Sequence, residues 1–176
     1  MLRRFNSGFL LRLSGYYWGV LGVIAIIASA VFRLTPRILE LGNYSLSLQH
    51  WLVLLLFTPY MAYAEGYKGF HLNFAPRVVT RAVYLRESAS PLLALAAPLF
   101  CMGLIYATRR RLLTSWLVTS GIVLLVLLVS HAPQPWRGII DAGVVVGLAI
   151  GIGALLWHWL RFEFAGIRPA ILPDLP

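Results

Sequence analysis

Residues 112–130 read LLTSWLVTSGIVLLVLLVS, nineteen residues in a row without a charged side chain. In a bilayer the backbone N–H and C=O groups must bond to each other, and a helix achieves this within one segment. A helix of this length spans roughly 28 Å, close to the thickness of the hydrocarbon core. The run therefore predicts a membrane-crossing helix.

Four further apolar runs of similar length occur at residues 14–32, 46–64, 91–108 and 139–160. Length and hydropathy together predict an all-α integral membrane protein with a bundle of five transmembrane helices. The runs use nearly the whole chain, so we expect a single polytopic membrane domain over residues 1–176. Residues 161–176 contain three prolines and no apolar period, which predicts an irregular C-terminal tail.

The composition is that of a membrane protein. Hydrophobic residues make up 60% of the chain and charged residues 12%, whereas about a quarter of the residues of a soluble domain are charged. The net charge of +9 is spread over short loops, which favours anionic lipid headgroups over nucleic acid as a partner. We expect an integral protein of a bacterial inner (plasma) membrane. The single cysteine, Cys101, excludes an internal disulfide.

The third run, 91–108, has two interpretations, because Pro98 lies near its centre. If the run crosses the membrane, lysines and arginines divide eight to seven between the two sides, and the positive-inside rule gives no orientation. If it is a re-entrant hairpin, four helices cross and the division becomes twelve to three. Length favours the five crossings that we predict, and charge favours four crossings plus a re-entrant hairpin.

The longest polar segment, residues 65–90, contains the sequence Pro76-Arg77, which is typical of a helix start. We predict a short helix near 76–87. Arg77, Arg81 and Tyr84 would share one of its faces. A basic amphipathic helix of this kind suits the headgroup layer of a membrane.

Glycines recur at intervals of four residues, and once of three, in the first and last runs, and we predict that they are helix-packing positions. Spacing of four places them on one helix face, where a second backbone can approach closely. The partner backbone would belong to this chain or to another subunit. These residues are Gly15, Gly19, Gly22, Gly143, Gly147 and Gly151.

Polar and charged residues collect where the second run ends and where the last run begins. With five crossings, these two points would face the same side of the membrane and could form one mouth. With four crossings, Glu65 and Asp141 would lie on opposite sides. Simpler expectations are an ion pair between Glu65 and Lys68, and one between Asp141 and Arg137. The candidate polar cluster comprises Glu65, Lys68, His71, Arg77, Arg81, Arg137 and Asp141.

Signatures of membrane enzymes are missing from the sequence. It contains neither Gly-x-Ser-x-Gly nor His-Glu-x-x-His, so we assign no catalytic, cofactor-binding or metal-binding residue and favour a non-enzymatic role. The expected function is that of an accessory or interaction subunit. It would pack against partner helices, a second copy of the chain or anionic lipid through its glycine-rich faces and basic loop. The alternative is a small transporter or channel-like protein with a polar mouth around Glu65 and Asp141.

Overall fold

The computed structural model describes the backbone of residues 2–88 and 90–176 and the side chains of residues 8–88 and 90–176. Throughout this part of the chain the secondary structure is helical, without a strand. A 3-10 turn covers Glu40–Asn43 and a π-helix covers Ala62–Phe74. The α-helices are α1 (Leu2–Leu39), α2 (Leu48–Met61), α3 (Ala75–Ser88), α4 (Pro91–Leu95), α5 (Ala97–Cys101), α6 (Arg109–Ser130) and α7 (Trp136–Ala165).

Three helical segments among the described residues are long and apolar enough to cross a membrane: Gly8–Asn43, Arg109–Ser130 and Trp136–Ala165. They correspond to the first, fourth and fifth predicted runs. These helices support the prediction of an all-helical membrane protein. They do not confirm five crossings, because the second and third runs form different structures.

The second run forms α2 and then continues in helical backbone angles through the π-helix into α3. In a π-helix each N–H bonds to the carbonyl five residues earlier, as the Ala75 N–H does to the Phe70 carbonyl. Pro59 removes one α-helical hydrogen bond three residues before the π-helix begins. The result is one unbroken helical rod from Leu48 to Ser88 with two hydrogen-bond registers.

The third run, 91–108, forms two short helices instead of one long one. Helix α4 begins at Pro91, and the Ser90 hydroxyl accepts a hydrogen bond from the Leu93 N–H (3.3 Å). The backbone turns at Ala96, two residues before Pro98, and beyond α5 the left-handed Gly103 (φ +77°) begins an irregular segment. The long helix that a fifth crossing would require is therefore not formed here.

Helix α1 runs antiparallel to α7. Just beyond the end of α1, Leu41 lies against Gly138 in the first turn of α7. Near the start of α1, the Tyr16 hydroxyl donates a hydrogen bond to Glu163 in the last turns of α7 (2.8 Å).

Helix α2 and its π-helical continuation run parallel to α7. The ring of His50, near the start of α2, lies 4.7 Å from that of Trp136, while His71 lies 5.0 Å from His158 at the far end. We call the end with His50 and Trp136 the hairpin end, and the end with His71 and His158 the tail end.

Helix α6 connects the tail end to the hairpin end. Just before α6, the Thr108 N–H donates to the Asp174 carbonyl in the C-terminal tail (3.0 Å). At the other end of α6, the Ser130 carbonyl accepts from Arg137 (2.9 Å). Both termini of the described chain therefore lie towards the tail end.

The predicted helix near 76–87 forms as α3, but it does not lie on the surface of the bundle. Eight of its residues are buried: Ala75, Pro76, Val78, Val79, Arg81, Ala82, Val83 and Leu85. All of them except Pro76 and Arg81 pack in one core with Tyr16, Val20 and Val23 of α1 and with Leu155 of α7. The segment predicted to lie in the headgroup layer is instead enclosed by α1, α5, α7 and the tail, because its non-basic faces are almost entirely apolar.

Candidate functional site

The seven predicted polar residues do not share one mouth. They are distributed along α7, whose residues 137–158 correspond to roughly 31 Å of helix. Arg137 and Asp141 lie at the hairpin end, Glu65 lies near the middle of α7, and the other four lie towards or at the tail end.

At the hairpin end, an ion pair and several hydrogen bonds hold together the polar residues near the end of α1 and the start of α7. Arg137 lies 3.9 Å from Asp141, so the predicted ion pair forms. The Gln134 amide donates to the Arg37 carbonyl and to the Glu40 carboxylate (3.1 Å each), and its oxygen accepts from the Gly138 N–H (3.0 Å). These contacts tie the end of α1 to the start of α7.

Glu65 lies in the π-helix against the middle of α7. A Cβ atom added at Gly147 would lie 2.6 Å from the Glu65 Oε2 atom, so a larger residue at 147 would force the carboxylate to move. The buried Oε2 atom has no hydrogen-bond partner among the described residues. All six acidic residues lie in the described part of the chain, and the other five form ion pairs.

The predicted ion pair between Glu65 and Lys68 does not form. The Lys68 ammonium instead lies 4.8 Å from the centre of the Tyr63 ring, a cation–π contact. Tyr63 stacks on Tyr67 and Tyr67 on His71, with ring centroids 6.1 and 5.6 Å apart. The spacing of four, which brings residues onto one helix face, here builds an aromatic row along the π-helix.

Pro76 determines the contact between the two histidines of the tail end. In the π-register the residue after Ala75 would donate to the His71 carbonyl, but that residue is Pro76 and has no N–H. The His158 Nε2 atom lies 3.1 Å from this carbonyl and donates to it instead. The contact fixes the His158 ring against the π-helix.

A cavity of about 350 Å³ opens at the tail end between the π-helix, the end of α7 and the C-terminal tail. Its polar side chains are basic: His71, His158, Arg161 and Arg168. Among the described residues no carboxylate lines it. Sequence reasoning singled out His71 but missed the others, because they come from α7 and from the predicted irregular tail.

Arg81 is fully buried beside this end of the bundle. Its guanidinium donates to the carbonyl oxygens of Phe100 (2.6 Å), Ile105 (3.0 Å), Tyr106 (2.8 Å) and Pro173. It also lies 4.1 Å from the centre of the Phe100 ring. Burial lowers the pKa of Arg81 to about 10, so the group stays charged at neutral pH and the carbonyl dipoles replace its hydration.

The C-terminal tail beyond Ala165 has no helix, yet it is held at several points. Asp174 forms an ion pair with Arg77 (3.4 Å), and Arg168 forms one with Glu87 (2.5 Å). Together with the Arg81 contact to Pro173 these bonds hold the tail across α3. The sequence predicts that Arg77 and Arg81 face lipid headgroups. In the structure both side chains instead bind other residues of this chain.

A further polar network, which the sequence did not suggest, centres on Glu163. Its carboxylate accepts from Tyr16 (2.8 Å) and Tyr17 (3.1 Å), and lies 3.5 Å from Arg86. The Trp159 indole N–H donates to the Tyr16 hydroxyl (3.0 Å). The hydrogen-bonded partners are more than 140 residues apart in sequence, and the only local signal is the clustering of aromatic residues near a lone acid.

All six predicted packing glycines face other residues of this chain. On α1, an added Cβ would meet Ala94 at Gly15, Cys101 at Gly19 and Pro98 at Gly22. On α7, it would meet Phe57 at Gly143, Glu65 at Gly147 and Phe70 at Gly151. These glycine faces are thus occupied within the protomer, and they are not free for a second subunit.

The described residues contain no group of three or more His, Cys, Asp or Glu side chains that could hold a metal ion. Comparison of the chain with protein-family models, with curated proteins and with solved structures finds no match.

Proposed function

We propose that the protein is a small polytopic membrane subunit that associates through α6 with a transmembrane helix of another membrane protein. The observation that carries this proposal is the isolation of α6. Every residue of α6 is described, and Ser115 is the one that is buried. Its first turns rest on the preceding segment, where the Trp116 indole donates to the Leu104 carbonyl (3.1 Å), and the rest exposes a continuous apolar surface.

The proposed topology has four crossings: α1, α2 with the first part of the π-helix, α6 and α7. The α3–α5 region would then be a re-entrant hairpin at the tail end, packed against α1 and α7. This arrangement gives twelve basic residues at the tail end and three, Arg33, Arg37 and Arg137, at the hairpin end. The positive-inside rule then favours a cytoplasmic tail end. A bacterial inner membrane is the location that we propose.

The middle of α6 has the small residues that helix association in lipid uses. Lipid tails are as apolar as leucine, so helices associate chiefly by close packing at small side chains and by hydrogen bonds. Thr119, Ser120 and Gly121 are such small residues, and outside Gly121's own stretch of helix no described atom lies within 4 Å of a Cβ added at this glycine. A glycine within a helix costs about 1 kcal/mol relative to alanine. No packing contact among the described residues explains why a glycine stands at this position.

Site-specific photo-crosslinking in native membranes tests this proposal. A photoreactive residue would replace Leu117 or Leu125, which lie one turn before and one turn after Gly121. The matched control is Leu55, which is similarly exposed but lies on α2. We expect a discrete higher-mass adduct from the α6 positions only, and its loss when Gly121→Ile is added. Lipid adducts alone at all three positions would contradict the proposal, and an adduct of twice the mass would identify a second copy as the partner.

Glu65 favours a second candidate function, proton- or cation-coupled transport. In the proposed topology its carboxylate lies near the middle of the membrane, unpaired, on a π-helix. Intramembrane carboxylates commonly mark ion or proton pathways, and π-helical turns recur at functional sites. Asp141 does not share this site, because it lies about two turns nearer the hairpin end of α7 and pairs with Arg137.

Flux measurements in proteoliposomes separate the two functions. Transport through Glu65 predicts cation- or proton-dependent flux that Glu65→Gln abolishes and Asp141→Asn preserves. Flux equal to that of empty liposomes would contradict transport and leave the interaction role as the proposal.

A further inference from the structure

The basic cavity at the tail end has the composition of an anion site. It opens between the π-helix, the first turn of α3, the end of α7 and the C-terminal tail, and the four polar side chains that line it are two histidines and two arginines. Its volume of about 350 Å³ lies within the usual range of small-ligand sites. A cavity formed only by loose packing would not be expected to gather four basic side chains from separate parts of the chain.

The two arginines retain donors for a ligand. Arg161 takes part in none of the ion pairs among the described residues. Arg168 contacts Glu87 through one terminal nitrogen, Nη2, which leaves its other N–H groups available. Guanidinium groups match the geometry of phosphate oxygens and bind them with paired hydrogen bonds.

The two histidines give the cavity a fixed wall. His158 Nε2 is engaged by the His71 carbonyl that Pro76 leaves without a donor. The His71 ring is stacked on Tyr67 on one side and lies beside His158 on the other. These contacts fix the positions of both imidazole rings before a ligand binds. Binding therefore costs less conformational entropy, because these side chains are already ordered.

We propose that this cavity binds a phosphate group, presented by an anionic lipid or by a soluble phosphate ester. Arg161 and Arg168 are the principal ligands, with the His71 ring as a third contact. The lipid form of the proposal rests on the topology proposed above, which places the tail end at the cytoplasmic surface, where anionic headgroups are concentrated. The soluble form does not depend on that topology.

Native mass spectrometry of the full-length protein in mild detergent tests the lipid form. Phosphatidylglycerol and phosphatidylcholine would be titrated separately onto the wild type, Arg161→Gln and Arg110→Gln. Both variants remove one exposed arginine from the tail end, but Arg110 lies outside the cavity. Because a hydrogen bond to a charged group contributes substantially to binding, we expect Arg161→Gln to weaken phosphatidylglycerol binding about tenfold and Arg110→Gln to weaken it less than twofold.

Thermal unfolding with inorganic phosphate and glycerol phosphate tests the soluble form. Stabilisation of the wild type, lost in Arg161→Gln, would support a soluble phosphate ester; stabilisation by phosphatidylglycerol alone would support a lipid. If Arg161→Gln unfolds at a lower temperature without ligand, Arg161→Lys replaces it, and weakened binding by this charge-preserving variant would support the guanidinium geometry. Equal losses in the Arg161 and Arg110 variants, or no binding of any phosphate compound, would overturn the proposal. Crosslinking through α6 is measured separately, so failure of one proposal does not affect the other.

Discussion

Arg81 places a positive charge inside the bundle without a carboxylate against its guanidinium. Four backbone carbonyls and the Phe100 ring surround it instead. Three of these carbonyls come from the segment after α4, and the fourth comes from the C-terminal tail. The side chain thereby joins α5, the irregular segment after it and the C-terminal tail to α3.

Replacement of Arg81 by lysine should therefore destabilise the protein despite the preserved charge. A lysine ammonium has three donors and lacks the planar fork, so at least one buried carbonyl would lose its partner. We expect a loss of about 3 kcal/mol in the free energy of unfolding, measured by denaturant titration in detergent. Arg110→Lys, at an exposed position, is the control. Similar stability of the two variants would show that the carbonyls rearrange or take up water.

Tyr16 and Tyr17 allow a matched comparison of two hydroxyls on one carboxylate. Both donate to Glu163, but Tyr16 is fully buried and also accepts from Trp159, whereas Tyr17 is partly exposed. Tyr16→Phe leaves a partly buried indole N–H and a carboxylate oxygen short of partners. It should cost roughly 2 kcal/mol, against less than about 1 kcal/mol for Tyr17→Phe. Equal melting temperatures of the two variants would contradict the assigned burial.

At the scale of the helices, the sequence predicted close packing but could not identify the packing partners. Spacing of four shows that glycines share a face, and it contains no information about what covers that face. The structure gives different partners to the two sets: α4 and α5 cover the glycines of α1, while α2 and the π-helix cover those of α7. The third run is held on α1 in this way, which explains how two short helices with two prolines remain packed.

Gly151 and Gly153 test this packing within a single turn of α7. A Cβ at Gly151 would lie 2.6 Å from the Cγ atom of Phe70, whereas nothing described lies within 4 Å of one at Gly153. Gly151→Ala should destabilise the protein by about 1–3 kcal/mol, because the rigid aromatic ring of Phe70 must move away from the new methyl group. Gly153→Ala should be neutral or stabilise it by up to about 1 kcal/mol through helix propensity. Thermal unfolding compares the two, and destabilisation by Gly153→Ala would indicate that its face is covered in the membrane.

At the scale of the whole molecule, hydropathy predicted the three long helices because each contains a long run with at most one charged residue, Asp141 near the start of the last run. It could not predict the depth of Glu65, since the second run ends just before this residue and the glycine that accommodates it belongs to another helix. Hydropathy also could not predict whether residues 91–108 form one long helix or two short ones. Length alone suggested a crossing, while the turn at Ala96 and the contacts with Gly15, Gly19 and Gly22 arise from tertiary packing.

Cysteine accessibility in intact cells tests the topology that follows from this packing. The native Cys101 is buried, and burial raises the pKa of its thiol to about 12, so it should stay unreactive while single cysteines are introduced elsewhere. Ser45→Cys reports the hairpin end and Arg110→Cys the tail end; both positions are exposed.

If four helices cross and the tail end is cytoplasmic, an impermeant maleimide should label Ser45→Cys in intact cells. It should label Arg110→Cys only after the inner membrane is opened. Labelling of Arg110→Cys from outside, with Ser45→Cys protected, would reverse the orientation and keep the four crossings. Labelling of both from outside would contradict the four-crossing arrangement itself, because α2 and α6 each connect the two ends.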